Sequence, residues 1–253
     1  MNSTPPLVSI ITICLNAART IERTIASVRE QDHPAIEYLV IDGGSTDGTL
    51  EILNRHRDRV DRLVSEPDRG ISDAFNKGIR LSTGRYVQFL NADDALGRGQ
   101  IAAGVGLLGA HPDAGYAHGD VVKVDPRTGA TSMMKGDPRY ARTIWYVMKG
   151  LNHPTVLARR DLFDRYGLFD ERWKIAMDYE WLLRLHRAGV RGVYSPSIAA
   201  TMFSGGTSDA RAYDAFREVR RISVLHGCHP LFAGSYHLAR FLKQRLYVAL
   251  GKR

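Results

Sequence analysis

At 253 residues, with 44% hydrophobic and 25% charged side chains, the chain has ordinary globular composition, which excludes disorder of its body. Its formal net charge of +8 calls for an anionic partner such as a nucleotide, an acidic lipid surface or nucleic acid, but the basic residues are scattered, which argues against a nucleic-acid-binding tail. There is no apolar run of membrane-spanning length and no signal-peptide pattern, and Cys14 and Cys228 make no disulfide framework, so a cytoplasmic protein is expected.

In chain order, residues 7–14 form a β-branched apolar run, the pattern of a buried strand. Residues 17–31 place Ile21, Ile25 and Val28 on one helical face, and Pro34 stops the helix. A second strand at 36–41 ends in the turn Asp42-Gly43-Gly44-Ser45-Thr46-Asp47-Gly48, followed by a helix over 49–57. A short strand at 60–65 leads through Glu66-Pro67-Asp68-Arg69-Gly70 into a helix over 71–81, then a strand at 85–90. Beyond Gly97 the pattern predicts a helix over 100–108, a strand over 116–124, and helices over 157–166 and 180–188.

Strands alternating with helices imply an α/β fold with a mostly parallel central sheet flanked by helices. Such sheets bind ligands beyond the carboxyl ends of their strands. In this chain those positions are rich in Asp, Asn, Ser and Thr.

Asn91-Ala92-Asp93-Asp94 follows an apolar strand, and a carboxylate there can ligate Mg²⁺ or Mn²⁺ beside a diphosphate. A polar turn with Asp94 capping the next helix is the plain alternative. Gly43 and Gly44 permit close backbone approach beside Asp42, an acceptor for a ring N–H or a ribose hydroxyl. Asp73, Asn76 and Lys77 share a face at the start of a helix, where anions are favoured. Asp178 is placed either to act as a general base or to cap the helix that follows. Met202-Phe203-Ser204-Gly205-Gly206-Thr207-Ser208 suits a loop near a phosphate or a plain surface turn. Two other motifs carry less: Gly104-Val105-Gly106-Leu107-Leu108-Gly109 spells a dinucleotide fingerprint inside a helical pattern, and His226-Gly227-Cys228-His229 lacks a second ligand pair at zinc spacing.

Residues 9–16 (SIITICLN), 42–48, 66–70, 90–94 and Asp178-Tyr179-Glu180, in that order, resemble the family 2 glycosyltransferases over roughly residues 6–210. The resemblance implies a GT-A type, Rossmann-like fold and inverting transfer of a sugar from a nucleoside-diphosphate donor to an acceptor hydroxyl. It implies that Thr12 and Asn16 line the nucleotide pocket, that Asp42 meets the base and that Asp73 helps hold the nucleotide. Ser45, Asn76 and Asn91 join them as expected nucleotide-sugar contacts, Asp93 as the metal ligand and Asp178 as the base. Glu180 supports the site, and His153 is expected to line the acceptor side. The chain departs from the family pattern at Asn91, where many relatives have Asp, so metal binding would rest on Asp93 and the diphosphate.

Residues 1–210 are expected to form the transferase domain and 211–253 a helical extension. Residues 236–253 mix apolar and basic positions, a pattern suited to peripheral contact with an anionic membrane or to a dimer contact. A lipid-linked saccharide is the expected acceptor class and UDP the favoured nucleotide. Two rivals are a nucleotidyltransferase, which would show a Gly-rich, Arg-containing loop after the first strand, and a nucleic-acid module, which the acids at the strand ends would repel.

Overall fold

The computed structural model describes residues 5–206 and 211–234. Among these, one sheet runs in the order β3-β2-β1-β4-β8-β6-β9-β5, with β7 paired to β6. Its strands are β1 (Val8–Cys14), β2 (Ile36–Asp42), β3 (Arg62–Ser65), β4 (Tyr86–Asn91), β5 (Ala95–Leu96), β6 (Ala114–Val124), β7 (Thr131–Met134), β8 (Leu157–Arg159) and β9 (Arg191–Phe203). β1 pairs in parallel with both β2 and β4, β2 with β3, and β6 with β9. β8 runs antiparallel to both β4 and β6, so those two share a direction. The carboxyl ends of β1, β2, β3, β4, β6 and β9 therefore lie along one edge.

The helices are α1 (Ile21–Arg29), α2 (Thr49–Arg55), α3 (Ile71–Leu81), α4 (Gln100–Ala110), α5 (Asp161–Tyr166), α6 (Met177–Arg187) and α7 (Ala212–Leu225). They cover both faces of the sheet, which is why β1 is buried at every position. Val8, Ile10 and Cys14 face a core with Ile21 and Ile25 of α1 and Leu53 of α2. Ile11 and Ile13 face the opposite core, with Phe75 and Ile79 of α3, Leu182 and Leu185 of α6, and Ile222 of α7. Aromatic rings fill that second core: Phe89 meets Phe75 and Phe169 edge-on at 5.1 and 5.2 Å, and Phe163 stacks on Trp181 at 4.3 Å.

One expected helix is corrected. Residues 157–166 are not a single helix: β8 occupies the gap between β4 and β6, with Leu157 opposite Gln88 and Ala117, and the chain becomes helical only at Asp161. Pairing to two strands at once outweighs the local helical pattern. The glycine-rich 104–109 segment lies within α4, so it forms no phosphate loop. Residues 236–253, expected to contact a membrane or a second copy, lie outside the described residues.

Candidate active site

The carboxyl edge is organised first around Asp42, the last residue of β2. Its carboxylate, fully shielded from solvent, accepts from the Ser45 N–H and hydroxyl, from the Ser65 hydroxyl at 2.7 Å, and weakly from the Cys14 thiol at 3.6 Å. Burial pushes this carboxyl up, but the Ser45 and Ser65 hydrogen bonds outweigh it and hold it below the ordinary aspartate range. The charged form is thus prepared before any ligand arrives. Asn16 ties the end of β1 to the same turn: its N–H donates to the Ser45 hydroxyl at 2.8 Å, and its side-chain carbonyl accepts from Thr46 N–H at 2.9 Å. Its φ of 52° is left-handed, which Asn tolerates better than most residues. Asp47 receives the N–H groups of Ala18 and Thr49, each at 3.1 Å, holding the start of α2 against the β1 loop. A Cβ on Gly43 would collide with the Asp68 carboxylate, so glycine there lets the 42–48 and 66–70 turns touch.

Thr12, expected in the pocket, is fully buried, and its hydroxyl accepts from the buried Tyr38 hydroxyl at 3.1 Å. It lies two residues short of the strand end, on the face turned into the core. Asn76 is likewise committed elsewhere. Both ends of its amide pair with the backbone of Phe169, donating at 2.9 Å and accepting at 3.0 Å. Asp73, one turn earlier on α3, is buried and accepts from the Arg69 N–H at 3.0 Å and from the Arg69 guanidinium at 3.1 Å. Burial raises its carboxyl, but the Arg69 N–H and charge together with Lys77 and Arg80 bring it below the ordinary range. Arg69 also reaches Glu171 at 3.0 Å, so this loop is strapped to the chain leading into α6.

At the end of β4, Asn91 donates to the Asp94 carboxylate at 3.2 Å, and Asp94 N–H closes the turn on the Asn91 carbonyl at 3.1 Å. Asp94 does not cap a helix. It is buried just before β5, and its carboxyl is pushed up to about 7, first by burial and then by the charge of Asp93. Arg23 of α1 donates to the Asp93 carbonyl at 3.1 Å and lies 3.3 Å over the Phe203 ring at the end of β9. From there Ser204, Gly205 and Gly206 bring the chain to Asp93: a Cβ on Gly206 would stand 2.6 Å from the Asp93 carboxylate oxygen. The Ser204-Gly205-Gly206 segment and the strand-end acid, more than 100 residues apart, are therefore neighbours.

Asp178 lies in the first turn of α6, whose cap position is Ala176, and its own oxygen accepts only locally, from Tyr179 N–H at 2.7 Å. It does not cap the helix. Burial raises its carboxyl above the ordinary range, while His153 is close enough to pull it the other way. His153 packs against Phe75 and Phe89 at 5.6 and 6.0 Å, its Nε2 is buried with no hydrogen-bond partner among the described residues, and burial lowers its basicity. Trp173 and Lys174, just before α6, reach the start of α3: the Ser72 hydroxyl donates to the Trp173 carbonyl at 2.9 Å, and Lys174 Nζ donates to the Arg69 carbonyl at 3.3 Å. Asp178 is thereby held at the same edge as Asp73. Glu180 faces inward and binds Arg184 at 2.7 Å and His226 of the α7 terminus at 3.1 Å. Arg23, Glu171 and Glu218 had no motif to announce them, because each acts through a contact far away in sequence, and His226, met only in a cluster without zinc spacing, pairs instead with Glu180.

The edge thus offers buried, pre-ionised carboxylates beside backbone turns, and one protected acid of raised pKa next to a histidine. Among the described residues no three His, Cys, Asp or Glu side chains converge as a metal cage. The arrangement fits a cation held by one carboxylate, Asp93, with ligand oxygens and water completing the shell, and glycine at position 206 leaves open the space a Cβ would fill.

The profile described as Glycosyl transferase family 2 matches residues 9–167. A PGL/p-HBAD biosynthesis glycosyltransferase of Mycobacterium bovis (strain BCG / Pasteur 1173P2) is 30% identical over 183 residues, covering 71% of this chain and 69% of that protein. Among solved structures, S. aureus TarS 1–349 in complex with UDP-GlcNAc superposes with a TM-score of 0.66 at 20% identity, covering 93% of this chain and 71% of that one. The mannosyltransferase PcManGT from Pyrobaculum calidifontis, in complex with GDP-Man and Mn²⁺, superposes with a TM-score of 0.69 at 22% identity, covering 93% and 70%. At these identities the structural likeness is one of fold, and both neighbours share the mixed α/β architecture seen here.

Proposed function

This chain belongs to glycosyl transferase family 2, and from that premise we propose that it moves a hexosyl group from a nucleoside-diphosphate sugar to an acceptor hydroxyl with inversion. The observation that carries the reading is the gathering of Asp42, Asp73, Asp93 and Asp178, from four separated segments, at the carboxyl edge of one parallel set of strands.

In this reading the base of the nucleotide lies at the 42–48 turn against Leu15, which is 58% exposed beside Gly43. Asp42, held ionised beneath the turn, meets the base through Ser45, whose hydroxyl and N–H it fixes, while Asn16, Ser45 and Asp73 shape the pocket around ribose and phosphates. Thr12 and Asn76 act one layer back, by fixing Tyr38 and Phe169. Asn91 orients Asp94, and Asp93 faces the diphosphate. A Mg²⁺ or Mn²⁺ ion on Asp93 would offset the charge that builds on the departing diphosphate. Asp178, ionised at working pH, takes the proton of the acceptor hydroxyl as that oxygen attacks the anomeric carbon from the face opposite the leaving group. His153 flanks the acceptor beside Asp178, and burial lowers its basicity.

UDP is the nucleotide we favour. Similarity to the mycobacterial PGL/p-HBAD biosynthesis glycosyltransferase supports our reading of a lipid-linked acceptor, within glycolipid or cell-surface polysaccharide synthesis. Residues 1–210 form the transferase unit in this reading, with 211–253 as an extension that works at the cytoplasmic face of a membrane. No helix among the described residues is long and apolar enough to cross one. Family membership sets aside the nucleotidyltransferase and nucleic-acid readings.

A melting panel of UDP, dTDP and GDP, each with and without Mn²⁺, tests the donor site, because a ligand of the folded state raises Tm by mass action. One diphosphate stabilising the protein, more so with Mn²⁺ and not in Asp93→Ala, is the expected result. A flat response to all three would overturn the reading.

A further inference from the structure

Glu218 lies on α7, beyond the segment matched by the family profile, yet its carboxylate reaches the entry to the helix that carries Asp178. It accepts three backbone N–H bonds, from Lys174, Ile175 and Ala176, all at 2.9 Å. The first N–H groups of a helix have no partner within it, and the cap residue of α6, Ala176, makes no side-chain cap bond of its own. A carboxylate brought from a distant helix takes the N–H of the cap position, Ala176, together with the two N–H groups that precede it, and is favoured by the helix dipole.

We propose that Glu218 is the positioning residue for Asp178: by pinning three consecutive peptide groups ahead of α6, it sets the direction in which the first turn presents that acid. Among the described residues, the hydrogen bond of the Asp178 carboxylate to a neighbour is to the next N–H in sequence, so no other side chain there orients it by hydrogen bonding. Glu218 itself stands on a fixed element. Ile222 of α7 is fully buried, and Tyr179 and Glu180 of α6 bond Ser223 and His226 at 2.9 and 3.1 Å. The extension after residue 210 therefore carries the lever that aims the acid of the domain before it.

Charge adds a second consequence. The groups facing Asp178 are His153, from the turn beside β4, and Glu218, from α7. The negative charge of Glu218 makes Asp178 harder to ionise, while His153 works the other way.

The inference rests on Asp178 being the base, and the test separates the two. Release of UDP from UDP-N-acetylglucosamine and of GDP from GDP-mannose is followed for wild type, Glu218→Gln, Glu218→Ala, Asp178→Asn and the control Asp214→Ala. Glu218→Ala is expected to lower kcat by at least about tenfold with donor KM within about twofold, since misplacement of a reacting group costs rate more than binding. Glu218→Gln moves the acidic limb of the kcat–pH profile to lower pH. In both variants the amides of residues 174–176 exchange with deuterium at least about tenfold faster, a readout that needs no substrate. Asp214→Ala, which removes an exposed ion pair with Arg211 at the start of α7, leaves kcat, the acidic limb and the exchange of residues 174–176 in place. Glu218 variants with wild-type kcat, limb and exchange, beside an inactive Asp178→Asn, overturn the positioning role alone. An Asp178→Asn variant as active as wild type overturns both.

Discussion

Gly206→Ala is the most discriminating change at the Asp93 site. An ideal Cβ at position 206 stands 2.6 Å from the Asp93 oxygen, against the 3.4 Å at which ordinary contact begins. The carboxylate tip must therefore give way by about 0.8 Å, the difference between those two distances. Because the obstacle is the end of a flexible side chain, a turn of about 30° off its rotamer suffices and costs on the order of 1 kcal/mol. For a chain of this size that lowers Tm by only about 2–4 °C. Metal–ligand distances, by contrast, tolerate about 0.2 Å, and an error near 1 Å at a reacting centre can cost about a hundredfold. Turnover of the donor picked by the melting panel should fall by roughly 10- to 100-fold at subsaturating Mn²⁺, with part of the loss recovered as Mn²⁺ is raised. Unchanged Mn²⁺ dependence in a folded Gly206→Ala protein would refute the placement of Asp93 at the diphosphate.

Asp178→Asn should reduce kcat by about 10²- to 10⁴-fold with little change in donor KM, the mark of a lost general base. Desolvation raises the Asp178 carboxyl, so activity should fall with acidification at a pH above the ordinary aspartate value of 3.8; a limb at or below that value would contradict the shielding of that carboxyl. Asp94 holds its proton in the folded chain up to about pH 7 but releases it near 3.8 when unfolded. Its contribution to stability is therefore complete below the lower value and lost as pH rises through the higher. Urea unfolding of metal-free wild type and Asp94→Asn should show wild type losing on the order of 4 kcal/mol relative to the variant between pH 4 and 7; parallel curves would sink the assignment. His118, whose burial lowers it to about 4, gives an opposite trend in both proteins and cancels in the difference. Asn76→Ala strands the Phe169 backbone and should cost about 2–4 kcal/mol of stability with nucleotide affinity nearly intact. Loss of nucleotide binding at unchanged Tm would instead make Asn76 a ligand.

The alternation of strands and helices, the parallel start of the sheet and the crowding of acids at strand ends were legible along the chain, because each is written in local periodicity or in a turn of few residues. β1 shows it well: its β-branched run could only be a strand buried on both faces. The helix expected over 157–166 shows the limit, since Leu157–Arg159 became a strand only because β4 and β6 left an edge to fill on either side. Side-chain direction was equally hidden. Thr12 and Asn76 sit in the right motifs, yet one faces Tyr38 and the other Phe169, and the pleat of a strand or the turn of a helix decides that only once the neighbouring layers are in place. The chain itself determined which residue types stand at the strand ends, and with them the family. Tertiary structure alone decided that Gly206 meets Asp93, that Arg23 braces the same turn, and that Glu218 binds the peptide groups leading into the helix of Asp178. Those contacts join residues dozens to more than a hundred positions apart, and no local pattern encodes a hydrogen bond whose partner is brought in by packing.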